Sequence, residues 1–212
     1  MYSPQQILSD NTKTDYSLNL PIQGHCNPTP ICRKTCYAKT GRLIMSNCIR
    51  KQTWLSRQLK ERESGFMTRL IKEAGILQAV RLMGSGDILA AHIKALYQLA
   101  KECPRTMFWG MTRKPKMASR INNTHNNLKL LVTVDNSSPA STWDYGGAMC
   151  FGPRMPEDVA LPNDNRIITV FPYHYHGKVA KGVQTHPKDC QAVWHKISGC
   201  GECGRCWSWD II

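Results

Sequence analysis

Eight of the chain's ten cysteines gather near its two ends: Cys26, Cys32, Cys36 and Cys48 at the front, and Cys190, Cys200, Cys203 and Cys206 at the back. A fold that uses them as a set must draw each group to one place, and no other pattern in the chain constrains it as much. Disulfides persist in oxidising compartments, whereas clustered cysteines in a reducing one serve as metal ligands or catalytic thiols. The opening Met1-Tyr2-Ser3-Pro4-Gln5 is polar and lacks the layout of a signal peptide. No run approaches the roughly 20 apolar residues of a membrane-spanning helix. We therefore expect a soluble, cytoplasmic protein, without a membrane partner, whose cysteines bind metal.

The tail reads Cys200-Gly201-Glu202-Cys203-Gly204-Arg205-Cys206, with Cys190 upstream. A cysteine at every third position lets a tight loop present one thiolate to each of three irons of a cubane, as ferredoxin runs do. Gly199, Gly201 and Gly204 suit the turns that such a loop needs. Cys190 is the expected fourth ligand. The alternative is zinc, which usually draws two separated Cys-x-x-Cys pairs or mixes in histidine; His186 and His195 stand close enough in sequence to serve. At the front, Cys26, Cys32 and Cys36 come from one loop, opened by Pro28 and Pro30. Three thiolates leave one iron without a ligand. Either Cys48 completes the set, or that iron is open to a cofactor or substrate. Cys103 reads as a core residue, and Cys150 as a core or cleft residue near a strand end.

Residues 1–25 read as an irregular opening segment. Helices are expected over 43–60 and 66–77, where apolar residues recur at helical spacing. Beyond them strands and helices alternate: strand 78–83, helix 88–101, strand 106–111, helix 116–121, and strands 128–134, 148–151 and 166–171. Such alternation predicts an α/β fold with mainly parallel strands and right-handed crossovers. We expect one domain over 1–212, a partial or irregular α/β barrel, with 22–48 as its front cysteine loop and 186–212 as its cysteine-rich tail.

The formal charge is +13, and from Tyr16 to Lys60 there is no acidic residue while Arg33, Lys34, Lys39, Arg42, Arg50, Lys51, Arg57 and Lys60 are basic. Nucleic acid is one partner that such a stretch fits. Thiolate-bound cubanes, at about −2 each, are another source of negative charge, though two of them leave most of the excess unmatched.

Three signatures in order, Cys32-x3-Cys36-Tyr37-Ala38, then Val80-Arg81-Leu82-Met83-Gly84-Ser85-Gly86-Asp87, then Gly199-Cys200-x2-Cys203-x2-Cys206-Trp207, resemble the "gene product 88" family of phages and plasmids. The resemblance runs from about residue 24 to residue 207. It implies an iron–sulfur protein of a mobile element or its host, and it supplies no reaction. More distantly the chain resembles radical S-adenosylmethionine enzymes, which also place a three-cysteine loop before an α/β barrel. That likeness implies that Gly84, Ser85, Gly86 and Asp87 hold the methionine end of S-adenosylmethionine, beside a front cluster fed by an electron donor. The chain departs from the pattern in its cysteine spacing and in having Tyr37 after the last cysteine. Read from the residues alone, Asp87 is the N-cap of the helix that follows, and the glycines make the turn.

His174 and His176 alternate as on one face of a strand, either solvated, lining a site or binding metal. Two functions stay open: a redox or cluster-dependent enzyme with two [4Fe–4S] clusters, or a basic nucleic-acid-binding protein with structural clusters or zinc.

Overall fold

The computed structural model describes residues 3–11, 15–155, 164–172, 174–175, 178–179, 181, 187–190, 200–203 and 206. Of the residues named above, Met1, Tyr2, His176, His186, His195, Gly199, Gly204, Arg205 and Trp207 lie outside them, as does most of the tail expected over 186–212.

In chain order come β1 (Ser9–Asn11), β2 (Asp15–Leu18), α1 (Pro30–Thr35), α2 (Ser46–Glu61), α3 (Ser64–Ala74), β3 (Ala79–Leu82), α4 (Ile93–Glu102), β4 (Met107–Thr112), α5 (Pro115–Asn122), β5 (Leu128–Val134), α6 (Ala140–Trp143), β6 (Met149–Arg154), β7 (Ile167–Pro172), the short pair β8 (His174–Tyr175) and β9 (Lys178–Val179), and α7 (Cys200–Cys203). The first seven strands form one sheet in the order β1-β2-β3-β4-β5-β6-β7. β1 runs antiparallel to β2, and every later neighbour is parallel.

The order never reverses. A doubly wound sheet must reverse at a switch point to cover both of its faces; here successive crossovers advance one way, and right-handed crossovers then stack their helices on one face. The burial agrees. Val80, Leu82, Phe108, Leu130, Val132 and Phe151 face α2, α3, α4 and α5, with Leu55, Leu59, Phe66, Leu70, Leu96, Leu99 and Ile121 packed among them. The opposite face carries Trp109, Leu131, Ala148 and Cys150, covered by Cys206 and flanked by Met111, Ile168, Phe171 and Cys200. Cys206 and Cys200 thus lie on the face that the helices leave open. β5, Leu-Lys-Leu-Leu-Val-Thr-Val, is buried along most of its length, as a central parallel strand covered on both faces should be.

Most expected elements form within a few residues of their predicted bounds. The exceptions are the front loop, where Pro30 opens α1 instead of holding the chain out of a helix, and the opening segment, which supplies β1 and β2. Both are short and polar, so their pattern gives no periodic signal. β2 nevertheless pairs with β3 through Ser17↔Arg81 and Leu18↔Leu82, which makes it the first parallel strand and sets the start of the cysteine loop.

Among the described residues no helix is long and apolar enough to cross a membrane.

Candidate functional site

Because β2 to β7 are parallel, their carboxyl ends meet along one edge, the usual place for ligands in such sheets. The front cysteine loop leaves β2 at this edge and is fastened there by a set of polar side chains.

Thr29 caps α1. Its hydroxyl accepts from the Cys32 N–H at 3.1 Å and donates to Asp135 Oδ2 at 2.6 Å. Pro30 follows at the first helical position, where its missing N–H costs nothing. Asp135, just past β5, also accepts from Ser137 N–H and Ser137 Oγ and pairs with Arg113 at 2.9 Å, and it is almost wholly buried. Ser137 Oγ in turn accepts from the Ile31 N–H. One carboxylate therefore holds the cysteine helix against the end of β5 and brings the Arg113 guanidinium beside Cys32.

The turn after β3 makes a second clasp. Leu20 N–H donates to Ser85 O at 2.9 Å, Ser85 Oγ to Leu20 O at 3.1 Å, Gly84 N–H to Leu18 O at 3.2 Å, and the Tyr37 hydroxyl to Gly84 O at 2.5 Å. The Tyr37 ring is half exposed, but its hydroxyl is turned inward, and burial raises its pKa. A Cβ on Gly86, which has φ +73°, would overlap the backbone of Leu20 and Pro21, so this close approach requires glycine.

Asp87 does not act as the expected N-cap. The helix starts later, with a 3-10 turn at Ala90–His92 that runs into α4. The Asp87 carboxylate instead accepts from Ile88 N–H, Thr112 Oγ1 and Arg113 N–H, at 2.7, 2.6 and 3.1 Å, tying the end of β3 to the end of β4. Lys114 Nζ bridges His25 O and Ile88 O, both at 2.6 Å. Gly84, Ser85, Gly86 and Asp87 thus hold the cysteine loop in place, and every polar side chain among them already has partners.

These anchors bring Cys26, Cys32 and Cys36 together. Burial pushes the Cys26 thiol up to about 12, and the charges of Asp87, Cys32 and Cys36 push it the same way while Lys114 opposes them. Burial likewise raises Cys32, against Arg113. Cys48, in the first turn of α2, acts on Lys51, three residues along the same helix face, whose Nζ donates to Leu8 O and Ser9 Oγ. That side of α2 faces β1.

A buried relay lies behind the loop. Leu89 N–H donates to His92 Nδ1, so His92 Nε2 carries the proton and meets Ser56 Oγ at 3.2 Å; Ser56 then donates to His25 Nε2 at 3.1 Å, and His25 Nδ1 donates to Asp87 O. Each bond is made with both rings neutral. Burial, with the neighbouring His25 charge, lowers His92 from 6.5 to about 4. A depressed histidine pKa stabilises the fold above 6.5, and that contribution is lost as pH falls toward 4. We predict that stability falls between pH 7 and pH 4, His92 contributing up to about 3 kcal/mol of the span, and that His92→Gln removes this part while the part due to His25, also lowered by burial, remains, as measured by urea unfolding.

The tail cysteines form the second group. The 188–190 segment runs beside β7: Val170 N–H donates to Lys188 O, Cys190 N–H donates to Val170 O, and Asp189 forms a buried pair with Arg154 at 3.0 Å. Burial lifts Cys200 to about 12, opposed by Arg81 and reinforced by Cys190 and Cys203. Burial also holds Cys206 well above the ordinary thiol range, with Cys190, Cys200 and Cys150 as thiol neighbours. All four expected tail ligands are linked in this way, and Cys150, at the centre of the open face, adjoins them. Cys103, as expected, is core.

Among the described residues no three His, Cys, Asp or Glu are grouped around a single metal ion. A cubane asks for something else, since each thiolate binds its own iron. The donor chemistry fits one at both places: soft thiols brought together, half-buried or buried, with Arg113 and Lys114 at the front and Arg81 at the back. A metal bound at either place would have to displace the protons that burial holds on these thiols.

The profile of the family described as gene product 88 matches residues 4–208. The chain belongs to the gene product 88 family. The match takes in both cysteine groups and the whole sheet between them, so the two sites and their scaffold lie within one family unit. No curated protein and no solved structure matches the chain.

Proposed function

We propose that this member of the gene product 88 family is an iron–sulfur protein carrying two [4Fe–4S] clusters, and that the front one serves a redox reaction with S-adenosylmethionine as cofactor. The observation that carries the reading is the position of the front loop. It leaves the first parallel strand at the carboxyl edge of an unreversed sheet, which supports a partial α/β barrel, and its three thiols are fixed against the ends of β3, β4 and β5. Cys26, Cys32 and Cys36 would hold the front cluster. Cys48, turned toward Lys51, would leave its fourth iron open, while Cys190, Cys200, Cys203 and Cys206 would hold the back cluster.

When bound, the front cluster would supply an electron to the sulfonium of the cofactor. The chain's own residues orient and shield it: Thr29 and Asp135 fix the loop, Arg113 and Lys114 supply positive charge, and Tyr37 closes over the Gly84 turn. Asp87 is committed to Ile88, Thr112 and Arg113, so its part is to shape the site.

Adding S-adenosylmethionine to the dithionite-reduced protein should change the electron paramagnetic resonance signal of one cluster, and the change should vanish in Cys32→Ser. A signal indifferent to the cofactor would contradict an open iron. The exposed basic side chains of Arg33, Lys34, Lys39 and Arg42 favour a second reading, nucleic-acid binding with structural clusters. That reading requires affinity for duplex DNA or RNA that falls steeply with salt.

A further inference from the structure

We propose that Cys150 is a reserve ligand of the back site, a fifth thiol that takes the fourth place when Cys190 does not. The inference rests on the reading of the tail cysteines as cluster ligands.

Cys150 lies on β6 between Met149 and Phe151, which both point into the helix-side core, so its own side chain is on the open face. It is wholly buried there. It belongs to one packed group with Trp109 of β4, Leu131 of β5, Ala148 and Cys206, and Cys200 lies against that group. Its register partner on β5 is Thr133, whose Oγ1 stands 3.3 Å from Sγ. Since β6 is paired on both sides, this thiol sits on a fixed floor beneath Cys206 and Cys200.

Cys190 reaches the same face from beyond β7. Asp189 is bridged to Val170, and Val170 points into the helix-side core. Bridged partners share a face and successive side chains alternate, so Cys190 turns to the open face. Only β7 separates its backbone from that of Cys150, a gap of about 10 Å at two strand spacings. The two thiols therefore flank the ground that Cys200 and Cys206 cover.

A cubane takes four thiolates. Cys200, Cys203 and Cys206 supply three from one short loop, and the fourth must come from the sheet surface beside it. That surface carries two soft donors rather than one. Spacing points to Cys190, ten positions before Cys200, because Cys150 is fifty positions away and only the fold brings it near. The exchange balances: the Cys150 sulfur binds the iron that Cys190 leaves and gives up its proton, and the released Cys190 thiolate takes one up.

The test uses anaerobically purified protein in which Cys26, Cys32 and Cys36 are serine, so that only the back site is loaded. Iron and sulfide are measured, and the electron paramagnetic resonance signal of the dithionite-reduced protein is recorded with and without cyanide, which binds an iron that lacks a protein ligand. Cys190→Ala and Cys150→Ala should each keep about four irons and about four sulfides, with a signal that cyanide leaves unchanged. The double variant should lose its iron or give a signal that cyanide alters. Iron loss or a cyanide response in either single variant would overturn the proposal, as would a double variant that keeps its iron and ignores cyanide. If the double variant does not fold, Cys190→Ala decides alone. A parent chain free of iron and sulfide would instead overturn the reading of the tail cysteines as ligands, before any variant is compared.

Discussion

Asp135→Ala should destabilise the protein by roughly 3–5 kcal/mol, the usual cost of leaving a buried charge without its partner. The carboxylate ties Thr29, Ser137 and Arg113 together at the end of β5, and its removal strands the Arg113 guanidinium in a largely buried position. The loss is not purely global. With Thr29 released, α1 loses its tether to the sheet edge, and with it goes the arrangement of Cys32 and Cys36. Urea unfolding measures the first effect. Faster alkylation of Cys32 in the metal-free variant, under native conditions, measures the second. Asp135→Asn keeps one of the two acceptor oxygens but loses the other and the charge, and should fall between wild type and Asp135→Ala. A loss below about 1 kcal/mol for Asp135→Ala would contradict this role, being no more than an ordinary hydrogen bond contributes.

The second large effect is on metal content. Changing Cys26, Cys32 and Cys36 together to serine should remove about half of the iron and sulfide from anaerobically purified protein. The same change at Cys200, Cys203 and Cys206 should remove the other half, because each set is treated as the holder of one cluster. Cys48→Ser should leave both quantities unchanged, since Cys48 shares its helix face with Lys51. Equal loss in Cys48→Ser would make it a ligand and close the front iron.

Much of the sheet was legible because its strands are buried parallel strands, continuous apolar runs bounded by turns. β5 was predicted at its observed limits, and the helices with clear apolar faces, such as α3 and α5, came within a few residues. β1 and β2 were not legible, since Ser-Asp-Asn and Asp-Tyr-Ser-Leu carry no periodic signal; β2 is a strand because β3 offers it an edge. Sequential strand order was not legible either, as local pattern says nothing about which strands become neighbours. The cysteine sets could be read from spacing alone. Their anchors could not: Asp135 lies more than a hundred residues from Thr29, and Arg154 pairs with Asp189 across 35 positions. A carboxylate before a helix suggests a cap, whereas the donors that Asp87 meets are Thr112 and Arg113 at the end of the next strand. Arg81 stood within a recognised motif, and only the register across β3 and β4 sets it over Trp109.

The measurement that tests the central claim most directly is the iron and acid-labile sulfide content of anaerobically purified wild-type protein, with its visible spectrum. Two cubanes require about eight irons and about eight sulfides per chain, with broad absorption near ~400 nm. Zinc without sulfide, and no visible absorption, would contradict the account and leave a basic, metal-stapled protein in its place.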